Sequence, residues 1–237
     1  MATATKTKRT QPRMSAKNPK FATLVVGPSE DKFVIHQELL TFYSPYFRAA
    51  LTGGFKEAKS GTIALTEENL HIVKFFIHWL YHLRFPTEND CAKLWALYAA
   101  DEDDDGQLIT QNLVRMYVFA DKFNIPRLHL DVITELYVHV EGEADNALPD
   151  TDMIRYAFTN LADSSPLCEY IVDAYCFFAC HRMWEDFVEV DWYPPFVARV
   201  LTKYTESRHD DTPGPCHYHH HESEEERAEC HLDLYGE

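Results

Sequence analysis

The distribution of strand-like runs along the chain is the feature that most limits its fold. Short runs rich in β-branched and apolar residues occur at 21–26, 32–36 and 62–65, and the rest of the chain has helical patterns. Gly27 and Pro28 end the first run, so 27–31 is predicted to form a hairpin loop. The order predicts an α+β fold, with a small sheet covered by helices and an all-helical extension after it.

Helical periodicity is clearest at 67–81. There Leu70, Val73, Phe76, Ile77 and Leu80 recur at spacings that place them on one face of a helix. The same reasoning predicts a helix from Gln37 onward and others at Pro45–Leu51, 91–100, 108–125, 127–140, 151–162, 166–183 and about 194–205.

The charge of the chain is strongly acidic and unevenly spread. The net charge is −16, yet residues 1–20 carry six basic residues and no acid, while 206–237 carry ten acids and two basic residues. An acidic body repels phosphate, so nucleic acid is not expected to be the main partner. The basic arm at 1–20 and the acidic, His-rich tail at 206–237 are both predicted to be disordered.

Compartment and membrane association follow from composition. No run of apolar residues is long enough to span a membrane, and residues 1–20 lack the apolar core of a secretory signal. The six cysteines lack the tight spacing of a disulfide scaffold. The expected location is therefore the cytoplasm, the nucleus or both, with reduced thiols and no membrane partner.

Two residues near the second strand could suggest catalysis. His36 ends that strand and Ser44 lies eight positions later, but the chain has no Gly-x-Ser-x-Gly elbow. Ser44 directly precedes Pro45, which is the arrangement of an N-cap followed by proline at the first helical position. Both residues are predicted to be structural, and no enzymatic activity, catalytic residue or cofactor is expected.

Residues 39–51 carry more apolar surface than a short helical pair hides easily. That surplus predicts a protein interface. The alternative is that all of these side chains face the internal core. The candidate partner-binding residues are Leu39, Leu40, Tyr43, Tyr46, Phe47 and Leu51.

Three groups of residues have ligand types suited to metals, and none is predicted to be a metal site. Asp101, Asp103, Asp105 and Gly106 fit the first half of a calcium loop, but its last position holds Asn112 where a bidentate Glu is needed. An acidic solvent loop is favoured there. The apolar run around Cys176, Cys180 and His181 favours a core helix.

The third group lies in the acidic tail. It has the thiol and imidazole ligands that zinc prefers, but its spacing matches no structural finger. A disordered tail is the favoured interpretation, and weak metal binding is the alternative. The residues are Cys216, His217, His219, His220, His221, Cys230 and His231.

An ordered set of short motifs in the first half of the chain resembles the BTB/POZ domain, especially its fungal members. The resemblance covers about residues 21–141. The segment 113–137 is similar to the helical pair that completes the domain. The earlier matching residues are Phe33, His36, Leu39, Leu40, Ser44, Pro45 and Phe47, then Gly53 to Glu57, then His78 to Tyr81.

The resemblance implies a protein-interaction module. Such domains commonly form homodimers through their first two helices and first strand, or bind a cullin scaffold as ubiquitin-ligase adaptors. It also implies that 142–205 is a helical extension like the helices that follow these domains in adaptors. A structural homo-oligomer or transcription-associated scaffold without a ligase role remains an alternative, and a metal-binding protein is a remote one.

Overall fold

The computed structural model describes residues 12, 15, 17–99, 106–143, 147–178, 191–206 and 214–235. They form two compact units. Unit 1 comprises Met1–Phe85 together with Phe123–Pro126, and unit 2 comprises Pro86–Lys122 and Arg127–Glu237. Most of the predicted basic arm at 1–20, and Asp101 to Asp105 of the predicted acidic loop, lie outside the described residues.

Unit 1 contains the predicted small sheet. Strand β1 (Phe21–Val26) pairs antiparallel with β2 (Asp31–His36) and parallel with β3 (Thr62–Leu65), giving the order β2-β1-β3. Gly27 has a φ of +66°, the left-handed region that glycine adopts without steric cost, and it turns the chain from β1 toward β2. The sheet buries Ala22, Leu24, Val26, Ile35, Ile63 and Leu65 on its inner face.

Four helices complete unit 1. They are α1 (Gln37–Tyr43), α2 (Pro45–Thr52), α3 (Lys56–Ser60) and α4 (Leu70–His82). Sequence patterns did not predict α3. This helix has only about one and a half turns, and its sequence KEAKS has no repeating apolar residues that would indicate a helix. The structure confirms the α+β class, since helices outnumber strands and cover a three-stranded sheet.

The buried face of α4 differs from the predicted one. The helix begins at Leu70 because the side chain of Asn69 accepts hydrogen bonds from the amides of His71 and Ile72. Its buried residues are Ile72, Val73, Phe75, Phe76, Trp79 and Leu80, whereas Leu70 and Ile77 are half-buried. The face is wider than an amphipathic stripe because aromatic residues on both sides of Phe76 also turn inward.

Unit 2 is helical among its described residues. Helix α6 has nine buried residues over four turns. The helices are α5 (Ala92–Tyr98), α6 (Gln107–Lys122), α7 (Pro126–Glu143), α8 (Thr151–Asn160), α9 (Pro166–Phe178), α10 (Pro194–Glu206), a 3₁₀ helix (Pro215–Tyr218) and α11 (Glu224–Tyr235). None of the helices described is long and apolar enough to cross a bilayer.

The tail predicted to be disordered contains two ordered elements, so the expectation for 214–235 was wrong. The 3₁₀ helix buries Pro215 and Tyr218, and α11 follows it. Ser223 caps α11 by accepting from the amide of Glu226, whose carboxylate in turn accepts from the amide of Glu222. This variant of a capping box, with acids in the first turn, offsets the helix dipole.

Candidate protein-interaction surfaces

The six residues predicted to bind a partner divide into a buried set and an exposed set. Tyr46 is 46% exposed and Tyr43 is half-buried. The other four lie in the core of unit 1 and cannot touch a partner while the unit is folded. This corrects the sequence prediction for Leu39, Leu40, Phe47 and Leu51.

Phe47 shows why the apolar surplus of α1 and α2 turns inward. Its ring stacks on Phe123 with centroids 5.3 Å apart and lies 6.1 Å from the ring of Phe76. Phe123 is 76 positions away along the chain, so the local sequence around Phe47 could not predict this contact. The apolar surface of α2 is therefore used inside unit 1.

The hydroxyl of Ser44 has a structural role, as the sequence predicted. Ser44 Oγ accepts a hydrogen bond from the amide of Phe47 at 3.0 Å and caps α2. It also donates to the carbonyl oxygen of Phe123 at 2.6 Å. Because this hydroxyl is buried and makes two hydrogen bonds, it is not placed to attack a substrate.

His36 is held by a tyrosine on α4. Its backbone amide donates to the hydroxyl of Tyr81 at 3.2 Å, and its Nδ1 lies 3.0 Å from the same oxygen. The ring of Phe21 lies 4.7 Å from the imidazole. These contacts give His36 a local packing and hydrogen-bonding role.

The solvent side of the sheet is unusually apolar. Because side chains alternate along a strand, the residues opposite the inner face point away from the core. Val34 is 67% exposed and Phe21 is 49% exposed. We call this surface the outer sheet face; the register places on it Phe21, Thr23, Val25, Lys32, Val34, His36, Thr62 and Ala64.

A second exposed apolar group follows α2. Phe55 is 60% exposed and lies between Gly53-Gly54 and the first residue of α3. Phe55 is a large aromatic side chain exposed to water next to two glycines. Such a side chain can serve as an anchor that inserts into a pocket of a partner protein. Phe55, Tyr46, Tyr81 and the outer sheet face carry the large exposed apolar side chains among the described residues of unit 1.

Unit 2 gathers thiol and imidazole groups between the 3₁₀ helix and α11. The ligand atoms of Cys216, His221 and Cys230 all lie within 4.8 Å of one another. His219 Nδ1 lies 3.0 Å from Cys230 Sγ, and burial lowers the pKa of this histidine to about 4, with the neighbouring charge of His221 adding to the effect. The sequence analysis named these residues as possible weak metal ligands, although their spacing matches no structural finger, and the fold brings three of them together.

The other predicted metal candidates are occupied by structural contacts where they are described. Asn112, the last position of the calcium loop, is buried and donates to the carbonyl oxygens of Leu97 and Tyr98 at 3.1 and 3.0 Å. Burial raises the pKa of the Cys176 thiol, which disfavours the thiolate that metals bind. Cys180 and His181 lie outside the described residues.

The chain belongs to the BTB/POZ domain family. The sequence model of that family matches residues 15–136, more than half of the chain. The chain is also similar to Kelch-like protein 26 of Danio rerio, with 32% identity over 68 residues. That alignment covers 29% of this chain and 11% of the relative, so the chain matches about a tenth of that protein's length.

Family membership confirms the resemblance drawn from the sequence and makes the chain a carrier of a protein-interaction module. BTB/POZ domains as a class are interaction modules and not enzymes. The match includes unit 1 and the part of unit 2 that runs through α6 and most of α7.

Proposed function

We propose that this chain is an adaptor that pairs with a second copy of itself and binds a cullin-type ubiquitin-ligase scaffold through its BTB/POZ domain. In this proposal the helices after residue 141 hold the client protein. Such an adaptor acts in the cytoplasm or nucleus, as the cysteine usage and charge predict. The observation that carries the proposal is membership of the family together with large apolar side chains left in water on unit 1.

The outer sheet face supports self-association. Val34 lies on β2, an edge strand of the sheet, opposite Thr23, and Phe21 lies on the same face two residues along β1, opposite His36. Exposed apolar groups that neighbour one another on a flat face are characteristic of surfaces that pair. A structural homo-oligomer without a cullin partner is the second candidate, because this face provides for self-association alone.

Phe55 supports the binding of a second protein. It lies on the loop before α3 and is well separated in sequence from β1 and β2. Aromatic anchors of this type contribute a large share of binding free energy when a partner encloses them. We assign Phe55 to the cullin contact and the outer sheet face to the dimer.

The experiment uses the full chain with and without a purified cullin N-terminal domain. Light scattering measures the mass of the chain alone, and calorimetry measures binding. Val34→Lys is expected to shift a dimer toward monomer, whereas Phe55→Ala is expected to weaken cullin binding by about tenfold or more. Matched controls on unit 2 are Val138→Lys and Phe177→Ala, which replace exposed residues of the same types.

The outcomes separate the candidates. A dimer that binds no cullin would leave the homo-oligomer as the function and refute the ligase proposal. A monomer that binds no cullin would refute both. If the control variants changed mass or affinity as much as Val34→Lys and Phe55→Ala, the assignment of these two surfaces would be wrong.

A further inference from the structure

We propose that Cys216, His219, His221 and Cys230 bind one structural zinc ion that fastens helix α11 to the 3₁₀ helix. The site lies within unit 2 and is separate from the interaction surfaces of unit 1. Three of its residues come from the turn Pro215–His221 and the fourth from α11. The inference stands independently of the adaptor proposal.

The ligand atoms of Cys216, His221 and Cys230 lie within 4.8 Å of one another, and the fourth ligand, His219, lies beside Cys230. Zinc–sulfur bonds of about 2.3 Å and zinc–nitrogen bonds of about 2.0 Å place sulfur and nitrogen about 3.6 Å apart around a tetrahedron. Cys216 Sγ lies 3.3 Å from His221 Nε2, and Cys230 Sγ lies 3.0 Å from His219 Nδ1. For zinc, each of these pairs would open by about half an ångström, and His219 would move closer to the Cys216–His221 pair.

The hydrogen bonds of His219 fix which of its nitrogens faces the site. Thr134 Oγ1 donates its one proton to the carbonyl oxygen of Leu130 at 2.9 Å. It lies 3.1 Å from His219 Nε2, so it must accept a proton from that nitrogen. The neutral imidazole then presents the lone pair of Nδ1 toward Cys230 Sγ. A ligating histidine whose other N–H is held by an acceptor is the usual arrangement around zinc.

His221 differs from His219 in the surroundings of its second nitrogen. Its Nδ1 is buried and has no hydrogen-bond partner among the described residues. A buried polar atom without a partner costs free energy and calls for an explanation. Zinc ligation through Nε2, which lies 3.3 Å from Cys216 Sγ, would hold the ring in this position but would leave Nδ1 without an acceptor.

Helix α11 also needs a source of stability. It has 12 residues, and from Glu224 to Glu229 every side chain is exposed, with Cys230 half-buried. These positions contribute little burial, and an isolated helix of 12 residues is marginal in water. Binding of zinc by Cys230 would stabilise the helix, because the free energy of metal binding in such segments adds to the free energy of folding.

The donor set selects zinc over the other common ions. Two thiolates and two imidazoles are soft to borderline ligands, whereas calcium and magnesium require oxygen. Four protein ligands close the coordination sphere, which is the mark of a structural site. The nearby group Glu169, Asp173 and His217 is a weaker candidate, because Asp173 already pairs with Lys203.

The 3₁₀ helix is anchored well enough to carry a metal site. The hydroxyl of Tyr218 donates to Asp173 at 2.7 Å, and its ring meets Tyr170 edge-on with centroids 5.1 Å apart. Asp173 and Tyr170 both belong to α9. Cys216 and His219 flank Tyr218, so this anchor positions half of the ligand set.

The test measures zinc in the full chain, purified with a reductant and loaded with zinc alone, after a brief chelator wash. Elemental analysis is expected to find about one zinc per chain. Cobalt in place of zinc is expected to give the visible bands of a tetrahedral ion and the absorption of cobalt–thiolate bonds. Cys230→Ser should lose both the zinc and the thiolate absorption, whereas Cys91→Ser and His220→Ala, at exposed positions, should keep them.

A positioning variant tests the role of Thr134. Thr134→Val should weaken zinc binding by about 10- to 100-fold with the cobalt spectrum still tetrahedral. Thr202→Val is the matched control, since Thr202 makes the same bond to a carbonyl four residues back on the exposed face of α10. Trypsin cleavage after Arg227 should be slower with zinc than with chelator, because α11 melts when the metal leaves.

Three results would overturn the inference. The first is wild-type protein that retains less than about a tenth of an equivalent of zinc after loading. The second is unchanged zinc content in Cys230→Ser. The third is a disulfide between Cys216 and Cys230, found by mass spectrometry of protein isolated without reductant, combined with no zinc after reduction.

Discussion

The hydroxyl of Ser44 donates to the carbonyl oxygen of Phe123 at 2.6 Å, joining residues 79 positions apart in the chain. The same oxygen accepts from the amide of Phe47 and so caps α2. One buried side chain therefore stabilises a helix start and holds the segment Phe123–Pro126 in unit 1.

Replacing Ser44 with alanine should lower the free energy of unfolding by about 2–3 kcal/mol. Loss of the cap costs about 1 kcal/mol. The carbonyl of Phe123, left buried without its donor, adds about 1–2 kcal/mol. Chemical denaturation of the full chain measures the change, with the exposed Ser60→Ala as control, which should alter stability by less than about 0.5 kcal/mol. A loss in Ser44→Ala no larger than the control's would contradict the double role.

Charged residues at Leu40 and Phe47 should unfold unit 1 and not merely dissociate an oligomer. Both side chains are fully buried, and even Phe47→Ala should cost about 3–5 kcal/mol through the cavity it leaves. Circular dichroism and thermal melting of Leu40→Asp and Phe47→Asp test this. Tyr46→Ser, at a position that is 46% exposed, should keep the fold. If Leu40→Asp protein were folded and soluble but had a lower mass than the wild type by light scattering, these residues would belong to the self-association interface after all.

Asn112 should be needed for stability and not for calcium. Its amide donates to the last carbonyl groups of α5, which no residue within that helix can satisfy. Asn112→Ala should therefore cost about 2 kcal/mol in denaturant unfolding. Asn112→Glu, which completes a calcium loop on paper, should also destabilise, because its carboxylate would face two carbonyl oxygens. The exposed Asn160→Ala is the control, and calcium-dependent stabilisation of Asn112→Glu would favour the calcium loop.

The sequence predicted those parts of the fold that local signals determine. The strand composition and Gly27 predicted the hairpin, and the Ser44-Pro45 pair predicted the start of α2. Both predictions succeeded because turn and cap preferences act over a few residues. Burial of Leu40 and Phe47 could not be decided locally. It depends on rings contributed by Phe76 and Phe123, and an apolar helix face has the same pattern whether its partner is internal or a second protein.

The cluster in the tail was named from the sequence as a weak metal-binding alternative, but the ordered elements that hold it were not predicted, for a different reason. An acidic, His-rich composition favoured disorder, although Ser223 and Glu226 stand at the spacing of a capping box. The spacing of Cys216 and Cys230 resembles no known finger, because the ligands are brought together by contacts with Thr134 and with α9, far away in the sequence. The amino-acid composition of a segment describes its average character, so it cannot predict contacts with residues far away in the sequence.

Acidification should weaken unit 2 through His129. Its ring stacks on Tyr117 at 4.5 Å, and burial lowers the pKa of this histidine. Asp121 raises the pKa but is 4.0 Å away and largely exposed, so burial dominates. Because the folded-state pKa lies below the unfolded value of about 6.5, this contribution is complete above about pH 6.5 and is lost as the pH falls toward the folded-state pKa.

The measurement for His129 is the melting temperature between pH 8 and pH 5, about the range in which histidine titrates. The wild-type protein should lose more stability over this interval than His129→Gln, which cannot titrate. His71→Gln is the control at an exposed position and should follow the wild type. Equal pH slopes for wild type and His129→Gln would show that the buried ring does not contribute.

The carboxylate of Asp173 is the buried charge on which the attachment of the 3₁₀ helix depends. It forms an ion pair with Lys203 of α10 and accepts from the hydroxyl of Tyr218 at 2.7 Å. Lys203→Met should cost about 2–3 kcal/mol, because it leaves a buried charge without its counter-ion, and the partial exposure of Lys203 keeps the loss below that of a fully buried pair. Tyr218→Phe should cost about 1.5–3 kcal/mol, the value of a hydrogen bond to a charged group.

The double variant Asp173→Asn with Lys203→Met separates charge from packing. An amide needs no counter-ion and still accepts from Tyr218, so the double variant should recover most of the stability lost in Lys203→Met. Denaturant unfolding of the four proteins in this cycle gives the coupling free energy. If the double variant were less stable than Lys203→Met alone, the loss would come from the packing of the lysine stem against its neighbours and not from an uncompensated carboxylate.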